Sequence, residues 1–206
     1  MIDEVHVAII DDDVALLDSI RLYFAHHQLK VSCYVDASTF LVALEHTAHL
    51  DCIICDVRMP AMSGIDLLEK LGQRGHSWPM ILMTGHADIP MAVAAIKKGA
   101  FDFIDKPFDV THLLATVREA VNARRQSINR LAELDELRSR FAALSSRQRE
   151  VMELVVAGLS NKEIGLKLNI SPKTVDHHRA WVMERMGAQN LAELVRQAMR
   201  LQGNID

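Results

Sequence analysis

The chain has 206 residues, half of them hydrophobic, which is enough apolar material for one large or two small domains with buried cores. Its apolar runs are too short to span a bilayer, and its acidic N-terminus lacks the basic segment of a signal peptide, so we expect a cytoplasmic protein without membrane contact. Residues 1–122 carry 9 Lys+Arg and 17 Asp+Glu, an acidic excess that suits a cation site. Residues 144–206 carry 9 Lys+Arg and 7 Asp+Glu, a basic excess that permits nucleic-acid contact without proving it.

Short apolar runs alternate with amphipathic stretches through residues 1–122. This alternation predicts repeated βα units and a parallel sheet covered by helices on both faces. Strands are expected near residues 5–10, 30–35, 51–55, 79–83 and 101–105. Helices are expected near residues 13–27, 37–46, 64–72 and 88–98, and from 109 onward. The predicted fold of this domain is α/β, a flavodoxin-like five-stranded parallel sheet.

The three cysteines do not form a disulfide framework. Their number is odd, and Cys52 and Cys55 lie three residues apart in one predicted strand, where their side chains point to opposite faces about 10 Å apart. Together with Cys33 they are expected to be reduced thiols, and no four-ligand zinc set is apparent.

A long helix is predicted to connect two domains. Apolar residues recur at spacings of mostly three and four from Val110 to Leu144, and no Gly or Pro occurs before Gly158. The last helix of the first domain is therefore expected to continue through a helical linker, residues 123–143. Its apolar stripe forms a seam with its own protein or, alternatively, with a second copy of the chain.

Four short helices are predicted in residues 144–206. Ser145 with Gln148 and Ser160 with Glu163 are typical of capping boxes, and Ser171 before Pro172 marks a third helix start. Asn190 can cap a fourth helix, residues 191–201. The middle pair, joined by a tight turn at residues 169–171, forms a helix-turn-helix unit in an all-α domain.

Polar residues follow four of the predicted strands, and the carboxyl ends of parallel strands are where such folds bind ligands. They are Asp11, Asp12 and Asp13 after the first strand, Asp56 after the third, Thr84 after the fourth and Lys106 after the fifth. Clustered carboxylates repel one another and favour a hard cation, Mg²⁺ or Mn²⁺. Such a metal can hold a phosphoryl group beside an aspartate, and Asp56 is the residue left to act as the nucleophile.

Each of these residues also has a simpler explanation. Asp13 can cap the first helix, Thr84 can bond to backbone, and Lys106 can be a solvated surface charge. Their joint occurrence at successive strand ends favours a phosphorylatable switch.

Four segments resemble the signatures of the receiver domain of bacterial two-component response regulators: IIDDD, CDVRMPAMSG, ILMTGHAD and DFIDKPF. The resemblance covers residues 1–122 and implies that a sensor histidine kinase phosphorylates Asp56. It implies that Mg²⁺ is bound by Asp12, by Asp56 and by the main-chain oxygen of Arg58, with Asp11 assisting through water.

The same resemblance implies a set of residues that respond to phosphorylation. Lys106 pairs with the acyl phosphate, Thr84 moves to bond to it, and rotation of Phe103 reports the change. A cis peptide is expected before Pro107. Arg58 and His86 are expected to tune the lifetime of the phosphoryl group.

Residues 144–188, from LSSRQREV to ERMGA, resemble the LuxR-type DNA-binding domain, and with this receiver they resemble the FixJ branch of response regulators. Within that branch the chain is similar to regulators of aromatic-hydrocarbon catabolism. The helix starting at Pro172 is the expected recognition helix, and its first turns enter the major groove.

DNA contacts are carried over by position. Asp176, His177 and Ala180 are expected to face base edges, and His178 is a further polar residue near the start of this helix. The phosphate contacts are expected from Asn161, Lys162, Ser171, Lys173, Thr174 and Arg179. Asp176 either accepts from a cytosine amino group or orients Arg179, and both histidines have a solvated-surface alternative.

We therefore expect a transcription regulator, and not an enzyme, that binds double-stranded promoter DNA and activates transcription with RNA polymerase. Because a single helix-turn-helix has a small contact area, phosphorylation is expected to act by favouring a homodimer. The expected dimer surface comprises the fourth helix, residues 88–98, with the fifth strand and fifth helix. The helix after Asn190 is expected to add contact in the DNA-bound form.

Two other functions remain open from the sequence. One is a phosphatase of the haloacid-dehalogenase type using Asp11, because Asp11, Asp13 and Val14 mimic its DxDxV opening. Against it, no acidic pair follows Lys106 as the fourth motif requires. The other is a constitutive DNA-binding regulator whose receiver stays unphosphorylated, which the complete acidic set disfavours.

Overall fold

The computed structural model describes residues 4–47, 49–85 and 89–203. The chain divides into two compact units, Met1–Gln126 (unit 1) and Ser127–Asp206 (unit 2). Within the described ranges, every helix falls short of the length and apolar character that crossing a membrane requires.

Unit 1 contains one five-stranded parallel sheet, with the strand order β2-β1-β3-β4-β5. Its strands are β1 His6–Ile10, β2 Lys30–Tyr34, β3 Cys52–Asp56, β4 Met80–Thr84 and β5 Asp102–Asp105. Every residue of β1, β3 and β4 is buried, as expected for strands covered on both faces. The flavodoxin-like prediction is confirmed.

Helices cover both faces of this sheet. They are α1 Val14–His26, α2 Ala37–Leu44, α3 Gly64–Gln73, α4 Ile89–Lys97 and α5 Val110–Ala142. Phe40, Leu67 and Ala95 place α2, α3 and α4 in one buried cluster, and Phe24 and Val117 place α1 and α5 in another on the opposite face. The start predicted for the fourth helix, Asp88, lies outside the described residues.

The loop after β3 is tightly constrained by α3. Ser63 caps this helix in a capping box with Asp66, so α3 starts only eight residues after Asp56 in the sequence. The Gly64 amide donates to the carbonyl of Val57 at 3.1 Å, and a Cβ on residue 64 would overlap with the carbonyl oxygen of Asp56. The start of α3 therefore fixes the backbone at the end of β3.

Cys33, Cys52 and Cys55 are free thiols, as predicted. Burial raises the pKa of Cys52 to about 12 and holds the pKa of Cys55 well above its usual value. Both groups are therefore protonated packing residues of β3 at neutral pH.

Helix α5 is continuous over 33 residues, which confirms the predicted long helix. Val117 is buried in the core of unit 1 and Leu137 in the core of unit 2. Between them, Ile128 and Leu131 are 50% and 60% exposed. The boundaries predicted at residues 122 and 143 both fall within or next to this helix and stay predictions.

The first part of α5 is bonded to the amino end of β3. Arg124 donates to the carbonyl of Leu50 at 2.8 Å, and Arg125 lies 3.8 Å from the carboxylate of Asp51. Asp51 in turn accepts from the backbone amide of His6 at 2.9 Å. These contacts lie at the opposite end of the strand from Asp56.

Unit 2 contains four short helices, α6 Ser146–Val156, α7 Asn161–Leu168, α8 Pro172–Met186 and α9 Leu191–Leu201. The predicted capping boxes at Ser145 and Ser160 are present, and Ser171 and Asn190 cap α8 and α9. The helices enclose a core that includes Val151, Val155, Ile164, Val175, Val182 and Met186. The predicted four-helix domain is confirmed.

The turn between α7 and α8 is short because two residues permit a close approach. Asn169 adopts a left-handed conformation with φ 53° and ends α7. A Cβ on Gly165 would lie 2.8 Å from the carbonyl oxygen of Ile170. This turn joins α7 to α8, in the order of a helix-turn-helix.

Candidate functional site

Three carboxylates meet at the carboxyl end of the sheet. Oxygens of Asp11, Asp12 and Asp56 lie within 4.8 Å of one another. They converge because β1 and β3 are hydrogen-bonded neighbours whose ends are in register. Asp11 and Asp56 are buried, whereas Asp12 is exposed and leaves the cluster open to solvent.

This donor set fits a magnesium-type cation. All three side chains offer only oxygen ligands, and three negative charges face one nearby ammonium. Mg²⁺ and Mn²⁺ prefer such carboxylates together with retained waters, which the exposed side of Asp12 admits. Asp11, Asp12 and Asp56 are therefore the residues that could hold the metal.

Lys106 follows β5 and its side chain reaches into the cluster. Its Nζ lies 2.5 Å from Oδ2 of Asp11 and 3.4 Å from Oδ1 of Asp56. Burial alone would lower the pKa of Lys106, but the hydrogen bonds and charges of Asp11 and Asp56 together outweigh it and raise that pKa. The ammonium is therefore charged at neutral pH. The predicted cis peptide between Lys106 and Pro107 is present.

Asp56 is a carboxylate whose charged form is disfavoured by its surroundings. Burial raises its pKa above 3.8, and the charge of Asp11 adds to this rise. The attraction of Lys106 and a hydrogen bond from the backbone of Arg58 oppose the rise without cancelling it. An added cation would therefore stabilise the charged form of Asp56.

Thr84 and Phe103 lie on the two strands beyond β3. Thr84 is the last residue of β4, next to Met83, which pairs with Asp56 in the sheet register. Its side chain is fully buried. Phe103 is half-buried in β5 and packs against the core on the α4 side of the sheet. The sheet thus places both residues near the carboxyl end of the strands, where the carboxylates cluster.

Asp13 and Arg58 lie beside the cluster in different ways. The Asp13 side chain accepts from the backbone amides of Ala15 and Leu16, so it caps α1, and its own amide donates to Asp11 at 2.9 Å. The simpler interpretation of Asp13 is thereby confirmed. The Arg58 side chain is exposed, and His86 lies outside the described residues.

The expected DNA-contacting residues are grouped around the start of α8. Asp176, His177 and Ala180 are exposed there, as are Lys162 and Lys173. The hydroxyls of Ser171 and Thr174 bond to each other at 2.8 Å, and that of Ser171 also caps α8. These two hydroxyls therefore stabilise the helix start in addition to any contact with DNA.

Asn161 joins α7 to α8 in a way that sequence reasoning missed. Its amide nitrogen donates to Asp176, and its amide oxygen accepts from Arg179 at 2.6 Å. Asp176 is thus bonded to Asn161, whereas the sequence suggested either a base contact or a contact with Arg179. The only signal was the polarity of the three residues, because the bonds span 15 and 18 positions in sequence.

Comparison with known proteins gives consistent matches for both units. Residues 7–118 match the family model of the response regulator receiver domain, and residues 142–198 match that of the bacterial regulatory proteins of the luxR family. The chain is 42% identical over 195 residues to the transcriptional regulatory protein FixJ of Bradyrhizobium diazoefficiens, covering 95% of each chain. It is 38% identical to the response regulator protein TodT of Pseudomonas putida strain F1, covering 97% of this chain and 88% of TodT.

A similar solved structure is that of the response regulator StyR. It superimposes with a TM-score of 0.78 at 33% identity, covering 96% of this chain and 99% of the StyR chain. The similarity therefore extends over both units in sequence and in fold.

Proposed function

This chain belongs to the two-component response regulators that join a receiver domain to a LuxR-type DNA-binding domain, and on that premise we propose that phosphorylation of Asp56 by a sensor histidine kinase controls its binding to promoter DNA. The observation that carries the proposal is the cluster of Asp11, Asp12 and Asp56 with Lys106 inserted between two of its carboxylates. Such a cluster combines three elements within a few ångströms: oxygen ligands for a cation, a carboxylate that can act as a nucleophile, and a fixed positive charge.

In this proposal Asp56 is the nucleophile. Its carboxylate oxygen attacks the phosphorus of the donor, and the donor's bond to that phosphorus breaks, leaving an acyl phosphate on Asp56. Asp12, Asp56 and the main-chain oxygen of Arg58 would hold Mg²⁺, or Mn²⁺, with Asp11 assisting through water, and the bound metal would neutralise charge on the transferring oxygens. Lys106 is already charged beside Asp56 and binds one phosphoryl oxygen.

Thr84, Phe103 and Pro107 form the proposed switch. The hydroxyl of Thr84 turns to the phosphoryl group, which opens space for the half-buried ring of Phe103 on the neighbouring strand. Pro107 holds the backbone after Lys106 so that the ammonium keeps its direction. The protein's own chemistry is limited to accepting the phosphoryl group and releasing it slowly to water.

The phosphorylated form is proposed to dimerise through the α4–β5–α5 face. Ile89, Val93 and Ile96 are exposed at helical spacing on α4, by 81%, 47% and 47%. A stripe of three apolar side chains on a single helix is typical of a surface that is covered in an assembly. α9 adds contact when DNA is bound.

Unit 2 is proposed to read the promoter with α8. Asp176, His177 and Ala180 are exposed and face the major groove, where side chains of the first helical turns reach base edges, and the half-buried His178 lies beside them. Phosphate contacts come from Asn161, Lys162, Ser171, Lys173, Thr174 and Arg179. The bound dimer then recruits RNA polymerase and activates transcription.

The domains proposed from this function are a receiver at residues 1–122, a helical linker at 123–143 and a DNA-binding domain at 144–206. The exposed Ile128 and Leu131 lie in the linker and support the alternative that it forms a seam with a second copy.

A gel-shift assay with and without acetyl phosphate and MgCl₂ tests the proposal. Acetyl phosphate should shift the wild-type DNA complex to lower protein concentration, and Asp56→Asn should abolish both phosphate uptake and the shift. Asp18→Asn, an exposed aspartate on α1, is the matched control and should behave as wild type. Equal DNA affinity in treated and untreated samples would favour the constitutive regulator, and phosphate mapped to Asp11 would favour the phosphatase.

A further inference from the structure

The largest hydrophobic side chain left exposed among the described residues is Trp181, in the middle of α8. It is 51% exposed, whereas Val175, Val182 and Met186 of the same helix are buried. An indole ring brings a large apolar surface together with one N–H donor, a combination enriched at interfaces. Because Trp181 lies on α8, the expected recognition helix, the interface indicated is the one with DNA.

Trp181 borders the side of α8 that carries the proposed base-facing residues, next to His177. It follows His177 by four positions and His178 by three, which are the spacings of neighbours on one side of a helix. The ring contacts that of His178 edge-on, with 5.6 Å between centroids and 72° between planes. This contact restrains the indole before any ligand arrives.

The size of the major groove determines what such a side chain meets. A helix with its side chains is about 10–12 Å across, and the groove is about 12 Å wide, so an inserted helix nearly fills it. Residues at the centre of the inserted side meet base edges. Residues beside them meet the sugars and phosphates of the groove wall, and Trp181 lies beside His177 in this way.

We propose that Trp181 is part of the DNA interface, with its ring on the deoxyribose carbons of the groove wall and its Nε1–H donating to a phosphate oxygen. This inference rests on the proposed function of unit 2. Because sugar and phosphate are the same at every base pair, the contact positions α8 without selecting a sequence.

The chain contains only two tryptophans, which makes the inference testable by intrinsic fluorescence. Trp78→Phe leaves Trp181 as the only tryptophan, and Trp181→Phe leaves Trp78, which lies in unit 1. Each protein, treated with acetyl phosphate and MgCl₂, is titrated with sheared genomic DNA of mixed sequence. Anisotropy of a dye-labelled mixed-sequence duplex measures binding independently.

The emission of Trp181 should fall on saturation, and its quenching by acrylamide should weaken at least about twofold, because the ring becomes covered. The emission of Trp78 should not change. Trp181→Ala should weaken binding about tenfold, to mixed-sequence DNA and to fragments selected by the phosphorylated protein alike. Trp181→Phe, which keeps an aromatic ring, should recover part of the loss. This variant is the control for misfolding of the alanine variant.

Three results would overturn the inference. The first is a rise in duplex anisotropy with no change in the emission or acrylamide quenching of Trp181. The second is a change in that emission on phosphorylation alone, which would assign the ring to a contact with a second copy. The third is full DNA affinity in Trp181→Ala. Failure of the wild-type protein to bind any duplex is a different result, because it removes the proposed function as well.

Discussion

Lys106 makes its closest contact with Asp11, at 2.5 Å, and not with Asp56, the residue it is proposed to assist. The ammonium thus neutralises a carboxylate that could hold a metal. A metal held by Asp11 would compete for the same oxygens and would leave the ammonium free to turn to Asp56. We therefore expect metal binding and the position of Lys106 to be linked.

The first prediction concerns this ammonium. Lys106→Met should lower the free energy of unfolding by about 2 kcal/mol without metal, because it leaves Asp11 and Asp56 buried without their cation. Saturating MgCl₂ should restore part of the loss, since it supplies a replacement charge. Urea denaturation measures both effects. Lys98→Met breaks the surface pair with Glu69 and should change stability by less than about 1 kcal/mol. Equal losses in the two variants would contradict the account.

The second prediction concerns stability and pH at Asp56. Its pKa is raised in the folded protein, mainly by burial, so the folded state binds the proton more tightly than the unfolded chain. Ionisation of Asp56 therefore costs stability as pH rises from 3.8 to the raised pKa, and the full cost of this group is present at neutral pH.

Asp56→Asn removes that charge and should raise the free energy of unfolding at pH 7 without metal by about 1 kcal/mol. The gain should disappear toward pH 3, where the wild-type carboxyl is also neutral. Denaturation midpoints across this range measure it. A gain that is independent of pH would show that charge is not its cause.

The third prediction compares two glycines of α3. Gly64→Ala should lower the free energy of unfolding by about 2 kcal/mol, because the new methyl group overlaps with the backbone of Asp56. It should also slow phosphorylation by displacing that residue. Gly72→Ala, with nothing within 4 Å of the added atom, should be neutral or stabilise by up to about 1 kcal/mol. Thermal denaturation and phosphate uptake of both variants are the measurements.

The fourth prediction concerns the apolar stripe on α4. Val93→Asp should weaken the phosphorylated dimer at least about tenfold, because burying an unpaired carboxylate is costly, while phosphate uptake is unchanged. Val42→Asp places the same charge at an exposed valine of α2, near the other edge of the sheet, and should have no effect. Sedimentation of the phosphorylated proteins distinguishes the two. A stable dimer in Val93→Asp would rule out this face.

The fifth prediction concerns the bonds of Asn161. Asn161→Ala and Asp176→Ala should each weaken DNA binding about tenfold, and the double variant should weaken it by less than the two effects combined, because both remove the same restraint on α8. Lys173→Ala, at an exposed lysine, should add its full effect to that of Asn161→Ala and should reduce the salt dependence of binding. A double-mutant cycle by anisotropy measures the coupling, and additivity of Asn161→Ala with Asp176→Ala would exclude it.

Features that depend on local sequence were predictable. Short apolar runs predicted the ends of β3 and β4 to within one residue of Asp56 and Thr84, and the capping box of Ser145 with Gln148 follows from a three-residue spacing. The convergence of Asp11 with Asp56 follows from a general property of parallel sheets.

Features that depend on how side chains pack were not predictable. Which of the two carboxylates Lys106 contacts more closely depends on side-chain rotamers. The hydrogen bonds of Asn161 depend on how closely α7 packs on α8. The contact between Arg125 and Asp51 joins residues far apart in sequence, and neither belongs to a recognisable motif.

Strand β3 has fixed neighbours along its whole length. Directly before it, Asp51 lies 3.8 Å from Arg125 of α5, and its last residue is Asp56. The five residues Cys52–Asp56 are buried and pair with β1 on one side and β4 on the other. About 17 Å of stiff backbone therefore separates Asp56, the proposed phosphate acceptor, from the arginines that hold α5. A displacement of one end of this strand would be transmitted directly to the helix at the other end.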